Sequence, residues 1–412
     1  MIHHGFNELV ANGGFRAFLC TQFLGALNNN IYRTIVTLTA LHVNRGKYVS
    51  LVLGIFVLPA LLFSGYAGHL ADVISKRRVL IGAKLFEVLV VGLAFTALTS
   101  GSIAAMLVTV FLAGIQSTLF SPAKYGIVPE ILAETQLSRA NALLEMTTFL
   151  AIVLGQACGA FLFSAWKAES WKMGIVLLAV ALVGLIASLG INNVPPSGAK
   201  HRFYLGPFTE IATGTRTLVQ DRMLLFSAAG VCYFWFFAAV VQPALGYFGT
   251  AVLRATDIRL GFLWTFLAIG LAGGNLLAGR LSGNRVEMRL ASLGAAGMGI
   301  FVTALCLLGG SYVAAVGAIL LLALASGVYV VPLYTCIQQR ADPCEKGRVI
   351  ATTNFYQTLG MILASGAVWY FHDHQGFSAS AIFLCLGLLT AVLTGCVLLA
   401  APQFRILRSR PA

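Results

Sequence analysis

Gly68-His69-Leu70-Ala71-Asp72-Val73-Ile74-Ser75-Lys76-Arg77-Arg78 is the stretch on which the reading of this chain turns. It joins two apolar runs, 49–71 and 79–99, and carries a glycine, an aspartate four residues on, and then three consecutive bases. A glycine at a helix end lets a second helix approach closely. The aspartate is suited to a nearby base or to the N-terminus of a neighbouring helix. Three bases beside an apolar run mark a loop held on the cytoplasmic side of a membrane.

Outward from this loop, further apolar runs fall at 15–43, 102–124, 139–165, 172–191, 223–251, 258–281, 289–309, 311–337, 349–371 and 377–401. With the two above they make twelve, each long enough to cross the hydrocarbon core, which takes about 20 residues. The polar stretch 192–222 holds Pro195, Pro196, Gly198, Lys200, Arg202, Arg216 and Arg222. It divides the chain into an N-terminal bundle, 1–191, and a C-terminal bundle, 223–412, with 192–222 as a cytoplasmic linker. Two sets of six spans are the pattern of a duplicated transporter. The fold expected is an all-α integral membrane protein of twelve transmembrane helices in two six-helix bundles.

Composition demands the membrane independently. The chain has 412 residues, 58% of them hydrophobic and 10% charged, with a mean hydropathy of +0.87. Soluble domains are about a quarter charged, and a chain this poor in charge cannot cover a water-facing surface. The net charge of +13 does not point to nucleic acid, because the bases sit in loops and not along one stripe. With the N-terminus inside, 19 Lys and Arg fall in cytoplasmic segments and six (Arg45, Lys47, Lys167, Lys172, Arg254, Arg259) on the opposite side. That bias sets both termini in the cytoplasm. Seven of the eight cysteines lie inside apolar runs, which predicts buried packing and no disulfide or zinc framework. No cofactor or metal is expected, since His372-Asp373-His374 reads as a solvated loop.

Ionisable and amide groups inside spans are costly and therefore candidates for function. In the first run Gln22, Asn29, Arg33 and Thr37 share one helical face, which Asn28 and Asn30 broaden. In the fifth, Asn141, Glu145, Thr148 and Gln156 do the same. The fourth run ends in Ser121-Pro122-Ala123-Lys124-Tyr125-Gly126, placing Lys124 at a similar level. Lys84 and Glu87, three apart, are suited either to neutralise each other or to meet a substrate. The second half is neutral by contrast: Gln242 beside Pro243, Asn275, Asn354 and Gln357, with an aromatic surface at Tyr233-Phe234-Trp235-Phe236-Phe237. A charged half facing a neutral, aromatic one suits an amphiphile.

The opening loop resembles the loop motif of the major facilitator superfamily, in which Gly68, Asp72, Lys76 and Arg77 govern gating. The corresponding stretch Gly279-Arg280-Leu281-Ser282-Gly283-Asn284-Arg285 keeps glycine and bases but has Gly283 in the place of the aspartate. Three segments resemble the bacterial lysophospholipid transporters more narrowly: Thr21-Gln22-Phe23-Leu24-Gly25-Ala26-Leu27-Asn28-Asn29-Asn30, Ser121 to Gly126 followed by Glu130, and Ala140-Asn141-Ala142-Leu143-Leu144-Glu145. The resemblance implies a flippase that moves lysophospholipid, chiefly lysophosphatidylethanolamine, from the outer to the inner leaflet of the bacterial inner membrane for re-acylation. It implies substrate contacts at Gln22, Asn28, Asn29, Asn30, Arg33, Lys124, Asn141, Glu145, Trp235, Gln242, Asn354 and Gln357.

Partners implied are lysophospholipid, membrane lipids and a separate cytoplasmic-side acyltransferase, for a chain expected to be monomeric. Some family members carry a fused acyltransferase, and the Gln242-Pro243 region resembles that branch. Here, however, no His is followed five residues later by Asp. The family usually has Asp where this chain has Asn29, and its stand-alone members carry Arg near Gln242 and Glu near Gln357. All three positions keep hydrogen-bonding capacity and lose charge. The competing reading is a proton-coupled drug or siderophore exporter of the same superfamily. Such antiporters carry a Gly-Pro pair late in the fifth span, where this chain reads Gly155-Gln156-Ala157-Cys158-Gly159.

Overall fold

A computed structural model describes residues 4–42, 47–199, 206, 208–283, 285–307 and 310–401. Of the loop groups named above, Arg45, Lys200, Arg202, Asn284, Arg405, Arg408 and Arg410 lie outside these residues. Fourteen α-helices are found among the described residues: α1 (His4–Ala11), α2 (Gly13–His42), α3 (Lys47–Val73), α4 (Lys76–Thr99), α5 (Ile103–Ile131), α6 (Leu137–Trp166), α7 (Ser170–Leu189), α8 (Thr209–Gln220), α9 (Arg222–Tyr247), α10 (Asp257–Ser282), α11 (Met288–Leu307), α12 (Tyr312–Arg340), α13 (Lys346–Val368) and α14 (Ala379–Ala400). Short π-helical turns, Phe248–Val252 and Trp369–His374, extend α9 and α13.

Ten of these helices are long and apolar enough to cross a membrane, so the protein is multi-pass. The first and eleventh predicted runs, α2 and α13, have comparable lengths of 30 and 23 residues but fall outside the ten. Their amides and charges lower the hydropathy, and those are the groups the sequence singles out. Large apolar side chains such as Leu89, Phe161 and Leu363 are more than 60% exposed, a surface that only lipid covers without cost. The cysteines follow the same logic and correct the sequence reading. Cys20, Cys158, Cys385 and Cys396 are exposed, and only Cys336 is buried, because apolar spans present packing residues on both their inner and outer faces.

Helix starts are capped as their sequences suggest. Ser102, Thr256 and Ser378 accept from the amides of Ala105, Arg259 and Ala381, and Asp221 accepts from those of Met223 and Leu224. Such caps satisfy donors that the first helical turn leaves open. The fourth run does not end near Lys124 as expected; α5 continues through Pro122 and Pro129 to Ile131. Ile127 and Val128 are fully buried, and neighbouring helices tolerate the lost proline hydrogen bonds. The polar stretch 192–222 also hides a helix, α8, which buries Ile211 and Leu218.

The chain forms two compact units. One comprises Met1–Ala133, Thr147–Thr217 and Ala341–Phe355; the other comprises Glu134–Met146, Leu218–Arg340 and Tyr356–Ala412. In the first, α2 packs on α3, α5 and α7, and α4 on α5 and α7. Its core gathers Tyr32, Ile35, Val91, Leu98, Val110 and Leu177. Gly155 and Gly159 let α6 meet α2 backbone to backbone, since a Cβ on either would lie within 2.8 Å of the Leu27 or Ile31 carbonyl oxygen. In the second unit, α12 is central, touching α9, α10 and α11, while α14 packs on α9 and α11.

Candidate functional site

The polar face of α2 is shared among several neighbours. Gln22 donates to Thr147 Oγ1 at 2.6 Å and accepts from Thr148 Oγ1 at 3.0 Å, and the Lys124 ammonium reaches the same Thr148 oxygen at 2.9 Å. Lys124 therefore sits inside the fold, 9% exposed, and not in a solvated loop. Asn30 turns back to the Ala26 carbonyl of its own helix. Asn29 is half-buried and, with Asn28, Tyr32, Glu87 and Gln116, lines a small cavity. One turn further, the Arg33 guanidinium lies 4.6 Å from the centre of the Phe56 ring. Its Nε meets no acceptor among the described residues.

Behind Asn29 lies a charge pair. Lys84 Nζ is 2.6 Å from Glu87 Oε2, and both side chains are buried. Asn28 and Gln116 each donate to the same carboxylate at 3.3 Å. Gly184 makes room for the ammonium, because a Cβ there would fall 2.6 Å from Lys84 Nζ. Of the two roles the sequence leaves open, mutual neutralisation is the arrangement observed. A buried pair needs such additional hydrogen bonds to offset its desolvation.

In the second unit, Asn141 exchanges two hydrogen bonds with Gln338, at 2.7 and 2.9 Å, and donates a third to Thr335 at 3.1 Å. Its amide, expected on a substrate face, is thus engaged by α12. Glu145 is fully buried one turn on. Trp235 donates to the Tyr334 hydroxyl at 3.1 Å. Gln242 is exposed, and Gln357 Oε1 is buried with no hydrogen-bond partner among the described residues. Asn354, in the first unit, donates to Ser121 Oγ at 2.9 Å, joining two segments that the sequence reading selected separately.

The motif loop is built as its residues suggest. Asp72, fully buried, accepts from the backbone amides of Gly347 at 2.5 Å and Arg348 at 2.8 Å, at the start of α13. Gly68 allows the approach: a Cβ there would lie 2.6 Å from Ala351 Cβ. Lys76, read as a loop base, is 1% exposed and pairs with Glu130. Arg77 donates to the carbonyls of Leu189 and Ile191 at the end of α7, where a cation meets the negative end of the helix. The second copy differs for a local reason. Gly283, in the aspartate's place, has φ +58° and ends α10, a conformation that disfavours a side chain.

Sequence reasoning missed what α8 contributes. Glu210 is 2% exposed and accepts from Arg348 Nε at 2.8 Å; Arg348 also reaches Glu345 at 3.0 Å, and Thr217 donates to Glu345 at 3.2 Å. His69 of the motif lies 3.9 Å from Glu210. The available signal was an acid in the first turn of a short amphipathic segment, Thr209–Gln220, overlooked because a charge-bearing stretch between bundles reads as linker.

This clamp, in the first unit, accords with a sequence-family match. Residues 18–365 match the model of the Major Facilitator Superfamily. The chain belongs to that superfamily. As a facilitator it is similar to the lysophospholipid transporter LplT of Klebsiella pneumoniae, with 27% identity over 87% of this chain and 89% of that one. It is also similar to LplT of Yersinia enterocolitica, with 28% identity over 86% of each. In fold it matches the human organic anion transporter MFSD10, with a TM-score of 0.76 at 16% identity, over 92% of this chain and 99% of that one. The relatives are transporters, and the facilitator fold is a transporter's.

Proposed function

We propose that this protein is a lysophospholipid flippase of a bacterial inner membrane. It moves lysophospholipid, lysophosphatidylethanolamine foremost, from the outer to the inner leaflet for re-acylation by a separate acyltransferase. The observation that carries this reading is similarity to curated lysophospholipid transporters along nearly the whole chain. Twelve spans, α2 to α7 and α9 to α14, with both termini cytoplasmic, are part of the proposal, as is alternating access by the halves 1–191 and 223–412.

Chemistry supports a division of labour. A lysolipid phosphate needs a cation in a low-dielectric setting, and the Arg33 guanidinium offers two parallel donors for its oxygens. Asn29 and Lys124, both in the first unit, provide hydrogen bonds for the headgroup. Trp235 provides apolar surface for the chain. Asn141, Asn28 and Asn354 act mainly in positioning, since each amide already donates to a partner side chain.

The test is reconstitution of the full chain in liposomes with labelled lysophosphatidylethanolamine in the outer leaflet. Protein-dependent arrival in the inner leaflet supports the proposal. Transport of cationic drugs or a siderophore with no lysolipid movement would replace it with the exporter reading.

A further inference from the structure

Away from these polar groups, the second unit holds a cavity of about 120 Å³ among α9, α11, α12 and α14. Phe226 and Gly230 of α9, Ala291 and Ala295 of α11, Tyr329 of α12 and Leu393 of α14 are among its walls. The Tyr329 hydroxyl is already used, donating to the Gly230 carbonyl at 3.1 Å. The space therefore offers mostly carbon surface, and a water inside would find few of the two to four partners it needs. Leu393 at the rim is 39% exposed, so the cavity opens outward. In a multi-pass protein the medium outside these helices is lipid.

Charge lies at one end of this opening. Arg222 precedes Phe226 by four residues on α9, and Arg289 precedes the lining residue Ser292 by three on α11; both arginines are exposed. Those spacings put each guanidinium on the helix face that lines the cavity. Helical side chains lean toward the N-terminus, which carries both charges away from the apolar space toward the headgroup level. Asp221, beside Arg222, is paired with Arg340 at 2.7 Å. Glu287 is one acid beside the two bases Arg285 and Arg289 in sequence, so the formal local balance stays positive.

An apolar slot below two arginines matches the layout of a phospholipid, with chain in one and phosphate at the other. We infer that this four-helix face binds one anionic diacyl phospholipid from the leaflet nearest the N-termini of α9 and α11. One acyl chain fills the cavity beside Tyr329, and the phosphodiester rests on Arg222 and Arg289. The site is distinct from the polar residues of α2 and does not depend on the transported substrate. By bridging four helices, a bound lipid stabilises the folded unit through linkage.

The experiment uses the full chain, purified in detergent and titrated with dioleoylphosphatidylglycerol, dioleoylphosphatidylcholine or inorganic phosphate. Native mass spectrometry counts bound lipid, and thermal unfolding reads stabilisation. One phosphatidylglycerol should be retained at saturation and raise the melting temperature by several degrees, with phosphate alone inert. Each arginine near a lipid surface contributes about a fivefold effect, so Arg222→Gln/Arg289→Gln should weaken retention about 30-fold. Ala295→Phe, which fills the cavity, should abolish retention while leaving lipid-free stability intact. Should that variant fail to fold, a photoreactive acyl-chain phosphatidylglycerol on the unaltered protein should label Phe226, Tyr329 or Leu393. No saturable lipid, equal response to phosphate alone, unchanged retention in a folded variant, or labelling confined to other helices would overturn the inference.

Discussion

The Asp72 carboxylate accepts the backbone amide of Arg348 at 2.8 Å. The same arginine's side chain is held by Glu210 of α8, also at 2.8 Å. An α3 acid thereby caps α13 while an α8 acid fixes the side chain of one of the capped residues. Asp72→Asn keeps the shape but removes the charge that favours the positive end of α13. It should lower stability by about 1 kcal/mol, and Asp72→Ala by about 1–2 kcal/mol. Thermal unfolding in detergent measures both; equal melting temperatures in all three proteins would remove the cap from the account.

Glu210 should matter more than its place between two bundles suggests. Glu210→Gln leaves the Arg348 guanidinium with the partly exposed Glu345 as its remaining ion-pair partner among the described residues. Removing one member of a buried pair costs about 3–5 kcal/mol, and the retained contact to Glu345 places this case at the low end. Unfolding by denaturant should register the loss, with Arg348→Met/Glu210→Gln recovering part of it. A fully additive double variant would show that the two residues do not interact.

The Lys84–Glu87 pair yields a sharper cycle, because both side chains are 2% exposed or less. Lys84→Met strands the carboxylate and Glu87→Gln strands the ammonium, each at a cost of about 3–5 kcal/mol. The double variant should be far more stable than either single one. A coupling energy near zero in that cycle would mean the pair contributes nothing as a pair.

Arg33 has a ring beneath it and an unmatched Nε, so its side chain is not held by a carboxylate among the ion pairs described. Arg33→Gln should therefore leave the melting temperature nearly unchanged and lower lysolipid affinity at least tenfold, with Arg33→Lys intermediate. Binding of a fluorescent lysolipid to the purified variants measures this. A stable Arg33→Gln protein with normal affinity would exclude the phosphate role.

Asn29 cannot titrate, so transport should depend little on a proton gradient. An uncoupler at fixed external pH should leave lysolipid movement largely intact in the native chain. Asn29→Asp introduces a carboxyl group that can gain and lose a proton where the amide cannot. That variant's transport should become pH-dependent, because the inserted group changes charge with pH. Abolition of native flux by the uncoupler would place a coupling proton elsewhere.

Most span positions were legible in the sequence because a membrane demands long apolar runs and the demand is local. The motif loop was legible too, since glycine, aspartate and bases have distinct uses at a helix end. Less was visible where apolar and polar residues alternate on short stretches. Thr209–Gln220 looked like linker, and α5 looked finished at its prolines, because no local pattern reveals that Ile127 and Val128 are buried by other helices.

Composition, hydropathy runs, loop charge and three short segments by themselves determined that the chain is a multi-pass helical protein of transporter type. Those properties depend only on neighbours in sequence and on the solvent. Partner choice among the buried polar groups was decided by tertiary structure alone. One helical face of α2 sends Gln22 to α6, Asn28 to Glu87 and Arg33 over Phe56, and Asn141 closes on Gln338, 197 positions away. A hydrogen bond requires a donor and an acceptor within about 3 Å in a set direction, and periodicity along one helix says which way a group points but not what another helix brings to meet it.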